Sequence, residues 1–362
     1  MTPVPFARIV VALALSLCAA LALAAPPTVG RLEIVAELPF RPGNVAISDD
    51  RRIFATVHPF DAQPGIQLVE VTGRSGYRAW PGKHVQGSPE ERGNLRMDTP
   101  LGIHIDGAGR LWVTDTGMNV GETRLWAFDL RSGRLLKRLS LPQDIAPAGS
   151  FVQDLVVDAE AGWVYLADIE APALIAVRID DGYAYRFTGH PSLAHEDGAQ
   201  MRVDNRPTMF NGEPARVGVN PISLSADGET LYFGAMTGLR WYAVPTRLLR
   251  EGSEDEITAA IRIVGRKPVS DGATTDAAGN HYFTNLNDSG IDQLGNDGVL
   301  RPLVRDARLE WPDSVSFGER GWLYIVTNQL HRSPPFTGGR DAGIPPYRIF
   351  RMWTESAGVV RR

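Results

Sequence analysis

Short runs of alternating apolar and polar residues recur along the chain, each followed by a turn and a second apolar run. PLGIHIDGAGRLWVTDTG, from Pro100, has this form: Ile103 and Ile105 alternate with polar neighbours, an Asp-Gly-Ala-Gly turn comes next, and Leu111, Trp112 and Val113 lead into Thr114 and Asp115. The pattern predicts strand, tight turn, strand. Five relatives of the stretch start at Asn44 (NVAISDDRRIFATV), Gln153 (QDLVVDAEAGWVYLAD), Asn220 (NPISLSADGETLYFGA), Ser270 (SDGATTDAAGNHYFTN) and Pro312 (PDSVSFGERGWLYIVTN). The six copies stand roughly 40 to 70 residues apart, which leaves room for about four short strands each, as in a propeller blade.

Further strand-like runs lie between the copies: RLWAFDLRSGRLLKRLSL from Arg124, ALIAVRID from Ala173 and LRWYAVPT from Leu239. They are read as outer strands. Helical signal is confined to Thr246–Glu251 and Ser253–Ala260, the second with Glu254, Asp255 and Glu256 near its start. The long amphipathic stretches that an α/β barrel needs are missing. The expected architecture is therefore an all-β, six-bladed β-propeller over 25–362, closed by RLEIVAEL (from Arg31) pairing beside YRIFRMW (from Tyr347). A seventh blade would have to hide in 180–219, a stretch rich in Pro, Gly, Asn and His that is read instead as an excursion over one face.

Composition narrows the function classes. The formal charge is −5 and charged residues are scattered, so nothing points to nucleic acid or an anionic membrane. Arg8 precedes an apolar run from Ile9 to Leu23, and Ala22-Leu23-Ala24 fits a small-x-small cleavage site. Residues 1–24 are read as a secretory signal peptide. The run, about 15 residues, is short for a membrane span. The expected location is thus secreted, periplasmic or extracellular, with no membrane contact after cleavage. Cys18, the single cysteine, follows Leu17 where a lipobox wants a small residue, so no lipid is expected on it. A mature chain without thiols excludes disulfides, thiolate nucleophiles and Cys-zinc sites.

Aligning the copies on their apolar residues puts Gly43, Leu101, Gln153, Asn220, Asp271 and Asp313 at one equivalent position, at the start of each innermost strand. In a propeller these positions converge on one mouth of the central channel. Gln153, Asn220, Asp271 and Asp313 together offer oxygen ligands suited to a hard divalent cation, Ca²⁺ first, held by Asn220, Asp271 and Asp313. Asp271 and Asp313 are also the candidate general base or acid. Asp154 follows Gln153 and is expected one layer deeper. Asp and Asn at strand starts also commonly cap loop N–H groups; four at equivalent positions favour a site. His190 and His195, in GHPSLAHEDG, are either solvated loop histidines or a lid over the mouth, in which case His195 would contact substrate and carry protons near neutral pH. His58, His84, His104, His281 and His331 show no metal-ligand spacing. No strand–GxGxxG–helix context and no GxSxG elbow is present.

LWVTDTG (from Leu111), NPISLSADGETLYF (from Asn220) and WPDSVSFGERGWLYIVTNQL (from Trp311) resemble the major royal jelly protein/yellow family over nearly the whole mature chain. The resemblance implies a secreted six-bladed propeller. Insect members include pigment-pathway proteins with dopachrome-converting activity, and their pattern carries cysteines that this mature chain lacks. A more distant resemblance links the chain to gluconolactonase/senescence-marker-protein propellers, whose metal is held by a Glu, an Asn and an Asp at inner-strand starts. Asn220 and Asp271 match the Asn and the Asp. Gln153 falls at a substrate-site Asn and Asp154 at the Asp after it, so the resemblance implies that both are substrate contacts. The Glu position falls on Gly43, with Asn44 beside it, and Asp313 is the carboxylate available in its stead. These resemblances imply two alternatives: a metal-dependent lactonase-like hydrolase or isomerase of a small cyclic substrate, or a non-catalytic propeller that binds a small ligand at the same mouth.

Overall fold

The computed structural model describes residues 27–61, 65–87 and 96–359. The signal peptide expected over 1–24, with Cys18, lies outside the described residues. Six four-stranded antiparallel sheets follow one another along the chain, and their inner strands pack side by side in a closed ring. These inner strands are Pro42–Ile47, Pro100–Ile105, Val152–Asp158, Val219–Leu224, Ala273–Thr275 and Pro312–Phe317. They head blades 1 to 6.

The sixth blade closes the ring. Its first three strands are Pro312–Phe317, Trp322–Thr327 and Tyr347–Trp353, and its outermost is Leu32–Leu38 from the start of the described chain. Leu32 pairs with Met352 and Leu38 with Tyr347, the pairing expected from sequence. Arg351 adds a cross-strand ion pair to Glu33 at 2.8 Å.

Middle strands such as Trp163–Asp168 and Trp322–Thr327 are buried throughout because each blade packs on both faces. One apolar cluster fills each gap between neighbouring blades. Between blades 2 and 3, for example, Trp112, Leu125 and Leu155 meet Val164 and Ile175. Between blades 4 and 5, Trp241 meets Phe283 and Leu294. A seventh cluster, with Met201, Val203, Met236, Trp311 and Leu330, sits over one mouth of the channel.

The two expected helices occur at Thr246–Glu251 and Glu254–Ala260. Ser253 and Glu256 form a reciprocal cap on the second, satisfying two N–H groups that a helix start leaves open. The excursion is shorter than 180–219. Ala184–Phe187 is the fourth strand of blade 3, reached by a tight turn at Asp181-Gly182. Three of its four residues are half-buried, so its apolar alternation is weak. Beyond this strand the chain forms two small hairpins, Arg202–Val203 with Arg206–Pro207 and Met209–Phe210 with Glu213–Pro214, and no seventh blade.

Five inner strands carry a β-bulge at one place. The register skips between Pro42 and Val45, Pro100 and Ile103, Val152 and Leu155, Val219 and Ile222, and Pro312 and Val315. Each bulge re-aims two consecutive residues at the channel end. Threonines on the second strands hold them. Thr56 Oγ1 accepts from Asn44 N at 3.0 Å and donates to Leu101 O at 2.6 Å. Thr114 Oγ1 does the same between Gly102 N and Gln153 O, at 2.8 and 3.1 Å. Thr284 Oγ1 accepts from both Asp271 N and Gly272 N. Glycine is required where the next inner strand comes in: a Cβ at Gly102 would lie 2.1 Å from Gln153 O, and one at Gly272 2.4 Å from Asp313 O.

Candidate functional site

The bulges of blades 1, 3, 4 and 6, with the residues just before the inner strand of blade 5, bring Asn44, Gln153, Asp154, Asn220, Asp271 and Asp313 together as a buried polar plate across the axis. Gln153 of blade 3 donates through Nε2 to Asp271 Oδ1 of blade 5 at 3.0 Å. Asn220 Nδ2 donates to the same oxygen at 2.6 Å and to Asp271 O at 2.9 Å. Asn44 of blade 1 donates to Asp154 Oδ1 at 2.9 Å. Asn328 Nδ2 donates to Asp313 Oδ2 at 2.6 Å and to Pro42 O at 3.1 Å. Trp311 Nε1 donates to Asp271 Oδ2 at 2.7 Å.

Every named amide spends a nitrogen on a carboxylate or carbonyl. Among the described residues, three buried acceptors of the plate are left without a hydrogen-bond partner: Asn44 Oδ1, Asn220 Oδ1 and Asp313 Oδ1. Buried polar atoms without partners are costly, and they point to a further partner of opposite character. No three His, Cys, Asp or Glu side chains group as a metal centre by themselves among the described residues. Oxygens from Asn44 and Asn220 must therefore complete any ligand set. An all-oxygen donor set of carboxylates and amides fits a hard cation such as Ca²⁺.

Burial dominates the electrostatics. It pushes the Asp154 carboxyl up to about 8, with Asp271 adding to the shift and the Asn44 hydrogen bond opposing it. Asp271 is pushed up to about 7 by burial, against Trp311, Gln153, Asn220 and the nearby Lys267 ammonium. Asp313 rises well above the usual carboxylate range through burial and repulsion by Asp271 and Asp154. Lys267 is buried, donates to Gly238 O at 2.9 Å and Pro268 O at 3.0 Å, and is brought down to about 7 by desolvation.

A cavity opens on each side of the plate. Asn44, Asp154 and Ser314 face the central channel, about 1080 Å³, which runs to the far end of the propeller. Gln153 and Asp271 face a cavity of about 340 Å³ at the mouth where the inner strands begin. Asp154 is thus one layer deeper than Gln153, as expected. Phe60, Phe151, Phe210, Phe336 and Trp311 wall the mouth cavity, and His58 lies beside them. His58 Nδ1 accepts from Phe60 N at 3.2 Å, which places the proton of the neutral ring on Nε2. Burial, with Arg41 nearby, takes this imidazole down to about 3, so it stays neutral at ordinary pH.

His195 does not join the site. It lines neither cavity, and its Nε2 lies 3.7 Å from Asp197 Oδ1. The stretch around it is pinned to the rim of blade 4, where Glu196 N donates to Thr237 O and Glu196 Oε1 accepts from Arg240 N. His190 caps a turn, its Nδ1 accepting from Ser192 N. The mouth is covered instead by Met201, Phe210 and the segment Ala215–Val217. Sequence reasoning missed His58, Lys267, Trp311 and Asn328 as site residues. One signal was available: His58, Ile169, Met236 and Asn328 occupy an equivalent place, one residue past the pairing that ends each second strand. The first three of these line the mouth cavity.

The model of the major royal jelly protein family matches residues 99–335. Protein yellow of Drosophila yakuba and of Drosophila melanogaster are each 30% identical over 190 residues, covering 46% of this chain and 35% of the relative. The match therefore spans about a third of the length of those curated relatives. Among solved structures, a gluconolactonase from Xanthomonas campestris superposes with a TM-score of 0.56 at 13% identity over 90% of each chain. A luciferin-regenerating enzyme superposes at 0.55 and 13% identity, covering 92% of this chain and 99% of the other. A virginiamycin B lyase from Staphylococcus aureus gives 0.52 and 13%, covering 89% and 98%. At such identities these likenesses speak for the propeller fold alone. With the family model matched over well over half its length, the chain belongs to the major royal jelly protein family.

Proposed function

We propose that the chain is an exported, cation-assisted hydrolase of a small cyclic ester of the lactone class, working at the mouth cavity. The observation that carries the reading is the plate itself: three buried carboxyls, with unpartnered oxygens on Asn44, Asn220 and Asp313, in a plate whose Gln153 and Asp271 line a cavity of small-molecule size. Asn220, Asp271 and Asp313 would hold the cation, with Asn44 completing the oxygen set. A cation bound there supplies polarisation of the ester carbonyl. Asp271 would take the proton from water and return it. In ring opening the water oxygen bonds to the carbonyl carbon and the ring C–O bond breaks. The proton removed from water passes through Asp271 to the departing alkoxide. Neutral His58 offers an Nε2–H donor on the cavity wall. Export rests on the Arg8 and Ile9–Leu23 pattern.

One observation favours the second reading, a non-catalytic binder: both Asp271 oxygens are already held by three donors, which opposes its use as a base. A chelator separates the two. Lactone ring opening followed by pH-stat should vanish in EGTA and return with added Ca²⁺. Ligand binding without turnover in either condition would leave the binder.

A further inference from the structure

We infer that the mouth cavity selects a lactone or ester with a flat aromatic body and rejects polyhydroxylated sugar lactones; this rests on the reaction proposed above for its floor. The rings around the cavity form a continuous arc. Phe151 meets Phe60 at 6.2 Å between centroids, Phe60 meets Phe210 at 6.4 Å, Phe210 meets Phe336 at 5.1 Å, and Phe336 meets Trp311 at 5.1 Å. Met201 and Met236 add soft apolar surface. Phe60, Phe210 and Phe336 are only half-buried, so part of each ring is left for a ligand to cover. Offset and edge-to-face contacts with such rings favour a planar aromatic body.

The polar groups available to a ligand are few. Gln153 Nε2 and Asp271 are committed to each other, and Trp311 Nε1 is committed to Asp271. That leaves His58 Nε2–H on the wall, and Glu170, Glu213 and Arg216 also lining the cavity. A sugar lactone would bury several hydroxyls against phenyl faces. Each hydroxyl without a partner weakens binding by about tenfold or more. The volume, about 340 Å³, is at the small end of ligand sites, enough for a fused bicyclic molecule.

Two rings of the arc come from chain segments remote in sequence that meet over the mouth. Phe210 sits on the hairpin Met209–Phe210/Glu213–Pro214, and Phe336 on the short helix Pro334–Thr337. Asn211 N donates to Pro335 O at 2.8 Å and ties the two together over the mouth. Truncating either ring removes wall without touching the floor.

The test compares dihydrocoumarin, an aryl lactone, with glucono-δ-lactone, using the mature chain with Ca²⁺. Turnover is followed by pH-stat and binding by quenching of tryptophan fluorescence. The aryl lactone should be preferred by about 100-fold in kcat/KM. Phe210→Ala and Phe336→Ala should each raise its KM about tenfold with kcat nearly unchanged. Equal or faster turnover of glucono-δ-lactone overturns the selectivity and leaves the reaction standing. Saturable quenching by dihydrocoumarin alone, weakened by Phe210→Ala but without turnover of either probe, upholds the aromatic preference and overturns the reaction. Absence of quenching, or a KM unmoved in both variants, overturns the aromatic seat.

Discussion

Without added divalent cation the protein should lose stability as the pH rises from about 6.5 through about 7. Asp154 and Asp271 are raised in the fold to about 8 and about 7 from 3.8, and Asp313 is raised well above it. A carboxyl raised in the folded state stabilises fully below its unfolded value, and that contribution is lost as pH climbs through the folded value. His58 is depressed to about 3, and His104, His281 and His331 to about 4, from 6.5. Their contribution is complete above 6.5 and is lost as pH falls. Lys267, down to about 7 from 10.5, contributes fully above 10.5, loses that contribution as pH falls to 7, and is constant below. From 6.5 to 7 only the carboxyls of this set change, at about 1 kcal/mol per pH unit each. From 7 to 8 the Lys267 gain opposes the loss that Asp154 still contributes. A bound cation holds the carboxylates ionised and should flatten this arm. Urea unfolding across pH 5 to 8.5, in EGTA and in Ca²⁺, checks it; a steady rise from 6.5 to 8 in EGTA would be incompatible with these three buried carboxyls.

Asp271→Asn should abolish turnover and weaken Ca²⁺ binding by about 100-fold or more, because it removes the carboxylate that three donors orient. The new amide keeps one acceptor oxygen and turns an NH₂ toward at least one of Gln153, Asn220 and Trp311. One donor is left facing another donor, so stability should drop by about 1–3 kcal/mol while the fold persists. Asp313→Asn is the informative contrast. Asp313 Oδ1 has no hydrogen-bond partner to lose, and the substitution removes repulsion with Asp271 and Asp154. Its cation binding should fall as in Asp271→Asn, yet in EGTA at pH 8 it should be about 1 kcal/mol more stable than the parent. Unfolding curves and calorimetry on both variants settle the comparison, and a destabilised Asp313→Asn in EGTA would count against the crowding of charge described here.

The blades were legible because each inner hairpin buries apolar residues at strand spacing, and the repeat of that hairpin set the count at six. Closure by Leu32–Leu38 was legible from two complementary strand patterns near opposite ends of the chain. The repeat also aligned Gln153, Asn220, Asp271 and Asp313; bulges turn Gln153, Asn220 and Asp313 toward the axis, and Asp271 reaches it from just before its inner strand, where Thr284 holds its backbone. Trp311 and Lys267 were not legible as site residues. Their roles arise from contacts or charge acting between neighbouring segments, Trp311 through its hydrogen bond to Asp271 of blade 5 and Lys267 through its nearness to the same carboxylate. His58 was set aside for want of metal-ligand spacing, although its neutral ring serves as a cavity wall and donor rather than a ligand. His195 misled because a histidine in a long loop carries no information about where the loop is pinned, and Glu196 decides that.

Calorimetric titration of the parent with Ca²⁺ at neutral pH bears most directly on the central claim, that the plate of Asn44, Asn220, Asp271 and Asp313 holds a hard cation beneath the mouth cavity. One saturable site per chain is predicted, lost or strongly weakened in Asp313→Asn. A parent that binds no divalent ion at millimolar concentration would contradict it.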